Sequence, residues 1–370
     1  MCTNVFINKN EHKIEARSMD FPINIAFENS WDYVGVENTT NVIIDADKIP
    51  TNQLANWKNK YGYFGRSGFD RTIADGLNTQ GLSFSVLYLD ITQYPKYDPK
   101  DTRPVLAIYD IGNFLLAMAK DVSEALKLIS EYQLVNSALE LKPGVFVKDI
   151  PLHISLRDSL GNNAVIEFLN GEIHIYENTG NVLTNAPSYN WHLENIKEYQ
   201  SLLKPFEDSN RTFAGKFINY DETVKSSRPE VAQLIGMPGD FSSTSRFVRA
   251  YTLSELMLEP KSNREAIYHA TSIIANVSVP PYEKSMTLWT TVKDLKNLTV
   301  AYKDNAAYQG TGSVGVYAMS IDTGYVTYDL KAMNFVDIPP QVQGRGKKPT
   351  PKEDIKQIIE MSAVVGLQRQ

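Results

Sequence analysis

The chain contains one cysteine, and it stands at position 2, directly behind Met1. A residue this small lets an aminopeptidase remove Met1, which leaves Cys2 carrying both a thiol and a free α-amine. The thiolate is an intrinsically strong nucleophile. The α-amine, with an ordinary pKa of about 7.7–8.0, lies close to the pH at which a general base is most useful. Covalent structure then nearly fixes the geometry of nucleophile and base. The plainer alternative for an isolated cysteine is a small, half-buried side chain at the start of a strand. Two further groups bear on the choice. Ala16-Arg-Ser-Met-Asp20 follows the first apolar segment, Val5-Phe6-Ile7, and reads as its hairpin partner. That pairing brings Arg17 and Asp20 beside Cys2. An arginine there favours the thiolate, and the carboxylate accepts a hydrogen bond from the α-amine and orients it. Taken alone, each of the two reads as half of a surface ion pair.

Other chemistries find little support. A single cysteine permits no intramolecular disulfide and no cysteine-based metal site. The five histidines, His12, His153, His174, His192 and His269, show no HExxH pattern or other ligand spacing, so no metal or other cofactor is expected. The net charge of −6, with basic residues scattered, gives no reason to expect nucleic acid as a partner. The densest basic cluster, Arg345, Lys347 and Lys348, lies in a Pro/Gly-rich stretch and reads as a solvated loop. No apolar run approaches the roughly 20 residues of a membrane span. No basic segment followed by an apolar core marks a secretion signal, so the expected compartment is the cytoplasm, or the periplasm or exterior if a signal peptide has been removed.

With 370 residues, 42% of them hydrophobic and 22% charged, the composition is that of a globular protein with a sizeable core. The elements that must position Cys2 are then read from periodicity. Gly81–Leu89 alternates as a strand with one buried face. Pro104–Lys120 carries apolar residues at roughly helical spacing, and Asp121-Val-Ser-Glu124 resembles a capping box opening a second helix. His153–Arg157, Ala164–Phe168 and Ile173–Tyr176 read as strands, the last two joined by a hairpin turn at Asn170-Gly171. Helices are expected at Ser245–Leu258 and Asn263–Asn276. Strands are expected within Thr287–Tyr302, Val314–Ser320 and Tyr325–Leu330. A last helix is expected over Lys352–Val364 behind Pro351. Such blocks favour an α+β layered fold, and no GxGxxG or P-loop argues otherwise.

Behind Cys2 the sequence resembles the choloylglycine hydrolase family, which includes bile salt hydrolases and penicillin V acylases. The resemblance rests on Met1-Cys-Thr3, Ala16–Asp20, Ala74-Asp-Gly-Leu-Asn-Thr-Gln-Gly-Leu82 and Leu87-Tyr88-Leu89. It continues through Val182-Leu-Thr-Asn-Ala-Pro187, Trp191-His192, Gly236–Phe241 and Ser245-Arg-Phe-Val-Arg249. It implies a four-layer αββα sandwich of two antiparallel sheets, the N-terminal nucleophile hydrolase fold, over 1–370 as a single domain. It also implies roles: Cys2 as nucleophile, Arg17 and Asp20 as the pair tuning and orienting it, Asn185 at the oxyanion, and Arg246 as a further active-site arginine. Without the resemblance, Asn185 reads as a turn residue and Arg246 as a helix-surface charge. Tyr88 stands where many penicillin acylases have tyrosine and bile-salt-directed members asparagine. It reads equally as a pocket residue or a plain strand aromatic. The segment 192–235 is long, as in members that assemble through an inserted hairpin, so a homo-oligomer, a tetramer for example, is expected. The expected substrate is a small N-acyl amide, first of the penicillin V kind, with bile salts and N-acyl homoserine lactones as rivals. A catalytically silent acyl-amide binder or structural oligomer is the alternative of another class.

Overall fold

Strands β1 (Cys2–Lys9) and β2 (His12–Asp20) form the expected N-terminal hairpin, antiparallel, with Cys2 opposite Met19 and Asn4 opposite Arg17. The computed structural model describes residues 2–21, 24–25, 27–68, 72–142, 144–203, 212–213, 216–217, 234, 236–280, 286–311, 314–319, 323–336 and 357–360. After the hairpin come β3 (Phe27–Asp32), β4 (Tyr63–Gly68), β5 (Thr72–Asn78) and β6 (Ser83–Tyr88). Helices α1 (Ile111–Met118) and α2 (Val122–Glu131) follow, then β7 (Leu152–Arg157), β8 (Asn163–Leu169), β9 (Glu172–Glu177) and β10 (Val182–Leu183). The short α3 (Tyr189–Asn195) precedes α4 (Ser243–Leu256) and α5 (Asn263–Val277). Strands β11 (Thr287–Asp294), β12 (Thr299–Asp304) and β13 (Val326–Asp329) complete the frame.

Among the described residues these strands make two antiparallel sheets. The first runs β10-β1-β2-β11-β12-β13, and the second β9-β8-β7-β6-β5-β4-β3. Helices α4 and α5 pack on β1 and β2, and α1 packs on β5 and β6. The result is the expected αββα sandwich. Its outer cores are apolar: Ala266, Ala270, Ile273, Ile274 and Val277 recur at helical spacing along the buried face of α5. On the other side Ile111, Phe114 and Leu115 of α1 meet Phe84 and Ile154. Each large aliphatic side chain buried this way contributes roughly 1.5–3 kcal/mol. Strands covered on both faces bury every side chain, charged ones included, so β2 is buried from His12 to Asp20.

Local chemistry explains the element ends. Asp121 accepts from Glu124 N at 2.8 Å while Glu124 reaches back to Lys120 N, as the capping-box reading anticipates. Ser262 and Glu265 repeat the device at the start of α5. Asn170 and Gly171 both take positive φ, 55° and 80°, in the tight turn between β8 and β9.

Two expectations fail. Only Ile111–Met118 of Pro104–Lys120 is α-helical, because Val105–Ala107 pairs in parallel with Gln133–Val135 instead. A short apolar run of this kind fits either period. Within Lys352–Val364, Gln357–Glu360 is a strand parallel to Val145–Lys148; pairing a segment with two adjacent isoleucines overrides the helical pattern. The rest of that expected helix, the cluster at Arg345, Lys347 and Lys348, and most of 192–235 lie outside the described residues. No helix among the described residues is long and apolar enough to cross a membrane.

Candidate active site

Period-two alternation places Cys2, Asn4, Arg17 and Met19 on the face of the first sheet that meets the second, and Thr3 on the helical side. Asn4 Nδ2 accordingly reaches Ser85 Oγ of β6, whereas Thr3 Oγ1 meets Arg246 of α4. The thiol is therefore approached from two layers.

From the inter-sheet side, Arg17 Nη2 lies 3.7 Å from Cys2 Sγ. Its guanidinium is clamped by backbone of the second sheet: Nη1 donates to Ala74 O at 2.6 Å and Nη2 to Val86 O. The group also lies over the Trp289 ring, 5.2 Å from the centroid. Burial works against the charge, but the neighbouring Cys2 sulfur and Asp75 outweigh it and raise the arginine's pKa. Arg17 is thus a fully buried, fixed cation beside the sulfur.

From the helical side, Arg246 lies in the first turns of α4, where a cation opposes the helix dipole. What holds it there is a set of acceptors. Nη1 donates to Cys2 O and to Thr3 Oγ1, both at 2.5 Å, Nη2 to Asn185 Oδ1 at 2.8 Å, and Nε to Phe241 O at 3.0 Å. Asp20 Oδ2 is 3.7 Å from the same guanidinium, and the carboxylate also accepts from Ser18 Oγ and Thr287 Oγ1. Asp20 and Arg246 form a pair with both side chains fully buried.

Asn185 closes the cluster. Its Oδ1 accepts from Cys2 N at 2.7 Å and from Arg246. Two converging donors demand an oxygen, so the amide orientation is fixed, and Nδ2 points the other way, donating to Tyr88 O at 2.7 Å. A second Nδ2 hydrogen remains. The Cys2 nitrogen is a peptide N–H while Met1 is attached and becomes the α-amine when Met1 is removed. Asn185 Oδ1, rather than the expected Asp20, accepts from this nitrogen at 2.7 Å, and Asp20 enters the cluster through Arg246.

Beside the sulfur opens a pocket lined by Cys2, Met19, Phe21, Phe27, Val86 and Tyr88, among others. Tyr88 is half-buried, edge-on to Phe21 with ring centroids 6.3 Å apart. All six residues singled out from the sequence therefore meet at one place.

The loop carrying Asn185 has its own support. Asn185 N donates to Ser243 Oγ at 2.8 Å, and His192 Nε2 donates to Asn185 O at 2.8 Å while its ring stacks on Phe247. Burial, partly offset by that carbonyl, lowers the His192 pKa from 6.5 to about 4. In the unfolded chain the ring takes a proton near pH 6.5, so between the two values the unfolded state binds more protons. The neutral ring's contribution is fully present above about pH 6.5 and is lost as the pH falls to about 4, in total about 3 kcal/mol. Urea unfolding from pH 7 to 4.5 is expected to show a steeper loss of stability in the wild type than in His192→Gln. Equal slopes would contradict this.

Residues 2–309 match the family described as linear amide C–N hydrolases, choloylglycine hydrolase family. The chain belongs to the choloylglycine hydrolase family. It is 27% identical over 270 residues to penicillin V acylase from Pectobacterium atrosepticum, covering 65% of this chain and 63% of that one. It is 24% identical over 210 residues to a bile salt hydrolase/transferase from Clostridium perfringens, covering 56% and 60%. The chain thus spans about three fifths of the length of these two curated relatives. The fold superposes on a conjugated bile acid hydrolase from Clostridium perfringens with a TM-score of 0.68, over 97% of this chain and 99% of the other, at 18% identity. The superposition agrees with the αββα layers.

Sequence reasoning missed the second rank of the site. Asp75 touches Arg17, and His192 touches Asn185, although both lie in segments already singled out. Glu15 and Lys293 were not singled out at all. No local signal marks them, because a charged residue in a strand ordinarily faces solvent.

Proposed function

We propose that the chain, once Met1 is removed, is a cysteine N-terminal nucleophile amidase cleaving a linear N-acyl amide, with an aromatic acyl group of the penicillin V kind as first substrate. The carrying observation is the environment of Cys2: an apolar, aromatic pocket beside the sulfur, Arg17 at 3.7 Å from Sγ, and Asn185 and Arg246 on the residue's backbone N and O. The acyl group enters the pocket beside Phe21, Phe27 and Tyr88, which presents the carbonyl carbon to Sγ. Arg17 favours negative charge on the sulfur, and the α-amine, held by Asn185 Oδ1, takes the thiol proton. As Sγ–C forms, the free Nδ2 hydrogen of Asn185 meets the developing oxyanion. A preorganised donor of this kind is worth roughly 3–4 kcal/mol of barrier. The protonated α-amine passes its proton to the leaving nitrogen as the C–N bond breaks. Water, deprotonated by the same amine, then hydrolyses the thioester and restores the thiol. Each step uses groups within Cys2 and its contacts and calls for no cofactor. Both sheets contribute to this one site, which supports reading 1–370 as a single domain.

Bile salts and N-acyl homoserine lactones share the reaction and differ in the acyl group. Three aromatic rings in the pocket favour a flat aryl group over a steroid or a long alkyl chain. Amine release from penicillin V, glycocholate, taurocholate and an N-acyl homoserine lactone, compared as kcat/KM, tests the assignment. The highest value is expected for penicillin V. A clear preference for either bile salt, or for the lactone, would move the acyl assignment while leaving the reaction in place. No turnover of any of them would favour a silent acyl-amide binder.

A further inference from the structure

Behind Arg17, away from the sulfur, lies a chain of fully buried charges that the reaction itself does not use. Asp75 Oδ2 is 3.4 Å from Arg17 Nη1, accepts from Lys293 Nζ at 2.9 Å and from Ser85 Oγ at 2.7 Å, while Oδ1 accepts from Tyr302 at 3.2 Å. Lys293 Nζ also lies 3.3 Å from Glu15 Oε1, which accepts from Asn4. Arg17, Glu15, Asp75 and Lys293 all have fully buried side chains. Two cations and two carboxylates balance while Cys2 is a thiol. Of the other charged groups nearby, Arg246 faces Asp20, Arg66, also over the Trp289 ring, is bound by Asp304, and buried Arg157, over the Phe6 ring, also acts electrostatically on Glu15.

We propose that Lys293 is a positioning residue for the Cys2 thiolate, acting through Asp75 to leave the charge of Arg17 available to the sulfur. The inference rests on the proposed role of Cys2. With Lys293 and Ser85 satisfying Asp75, the carboxylate stays 3.4 Å from Arg17, and Arg17 remains clamped on Ala74 O and Val86 O with Nη2 towards Sγ. Without the ammonium, Arg17 is the one cation left in contact with Asp75 among the described residues. Asp75 then closes on Arg17, and forming a thiolate adds a second negative charge beside that guanidinium.

The test is the pH dependence of iodoacetamide alkylation of the processed protein. Cys2 is the sole cysteine, so alkylation reports its thiolate whether or not any amide is turned over. Failure of the nucleophile reading and failure of this one are therefore separable. Lys293→Met is expected to raise the alkylation midpoint by about one pH unit, or about tenfold slower alkylation below both midpoints. Glu15→Gln is expected to lower it, and Glu15→Gln with Lys293→Met, which removes one charge of each sign, to return it near wild type. The double variant and Glu15→Gln keep the test decisive if Lys293→Met does not fold. A merely structural lysine would leave all midpoints together, and a double variant displaced like Lys293→Met, or Glu15→Gln unchanged, would overturn the proposal.

Discussion

Asn185→Ala is expected to lower kcat by about two to three orders of magnitude, with a smaller change in KM. The side chain serves the site in two ways. Its oxygen receives the Cys2 nitrogen and Arg246, and its amide nitrogen supplies the donor proposed for the oxyanion. The oxyanion exists only along the reaction path, so losing that donor weakens transition-state binding more than substrate binding. Asn185→Asp separates the two roles, since it keeps an acceptor for both donors and removes every side-chain N–H. It also sets a carboxylate against Tyr88 O. A fall in kcat comparable to that of the alanine variant is expected for it. Near-normal kcat in Asn185→Asp would show that the amide hydrogen is not the oxyanion donor.

Arg246→Met is expected to cost about 3–5 kcal/mol of stability and to abolish turnover. The guanidinium binds Cys2 O, Thr3 Oγ1, Asn185 Oδ1 and Phe241 O and faces the Asp20 carboxylate. Methionine fills a similar volume but leaves that carboxylate buried without its cation and takes one donor from each of the four acceptors, of which Asn185 Oδ1 keeps the Cys2 nitrogen; desolvation makes each deficit costly. Arg246→Lys keeps the charge, yet a compact ammonium cannot span acceptors that the planar fork reaches together. It is expected to recover much of the stability and little of the turnover. Urea denaturation beside steady-state kinetics separates the two effects. Equal stability of wild type and Arg246→Met would remove Arg246 from the account of the fold.

How far this site was legible from sequence depended on distance along the chain. Cys2, Arg17 and Asp20 lie on one hairpin, and its antiparallel pairing carries all three at the same end of the sheet. Asn185 and Arg246 are brought to Cys2 by tertiary packing across 183 and 244 positions. No local period records that contact, and only the resemblance to a family pointed to them. Glu15 and Lys293 were hidden for another reason. Charged residues in strands ordinarily face solvent, and nothing in either segment says that both faces are covered. The layered fold followed from the order of strand and helix blocks. The missed elements were short or lay near the C-terminus, where Val105–Ala107 and Gln357–Glu360 take their form from a partner strand distant in sequence.

The proposed reaction requires Cys2 as the nucleophile and its freed α-amine as the base. The most direct test is amine release by the chain with Met1 removed, verified by intact mass, beside Cys2→Ala and a chain whose N-terminus remains blocked. Turnover is expected of the processed wild type and of neither of the others. Turnover that persists in Cys2→Ala, or is undiminished when the Cys2 nitrogen remains a peptide nitrogen, would contradict it.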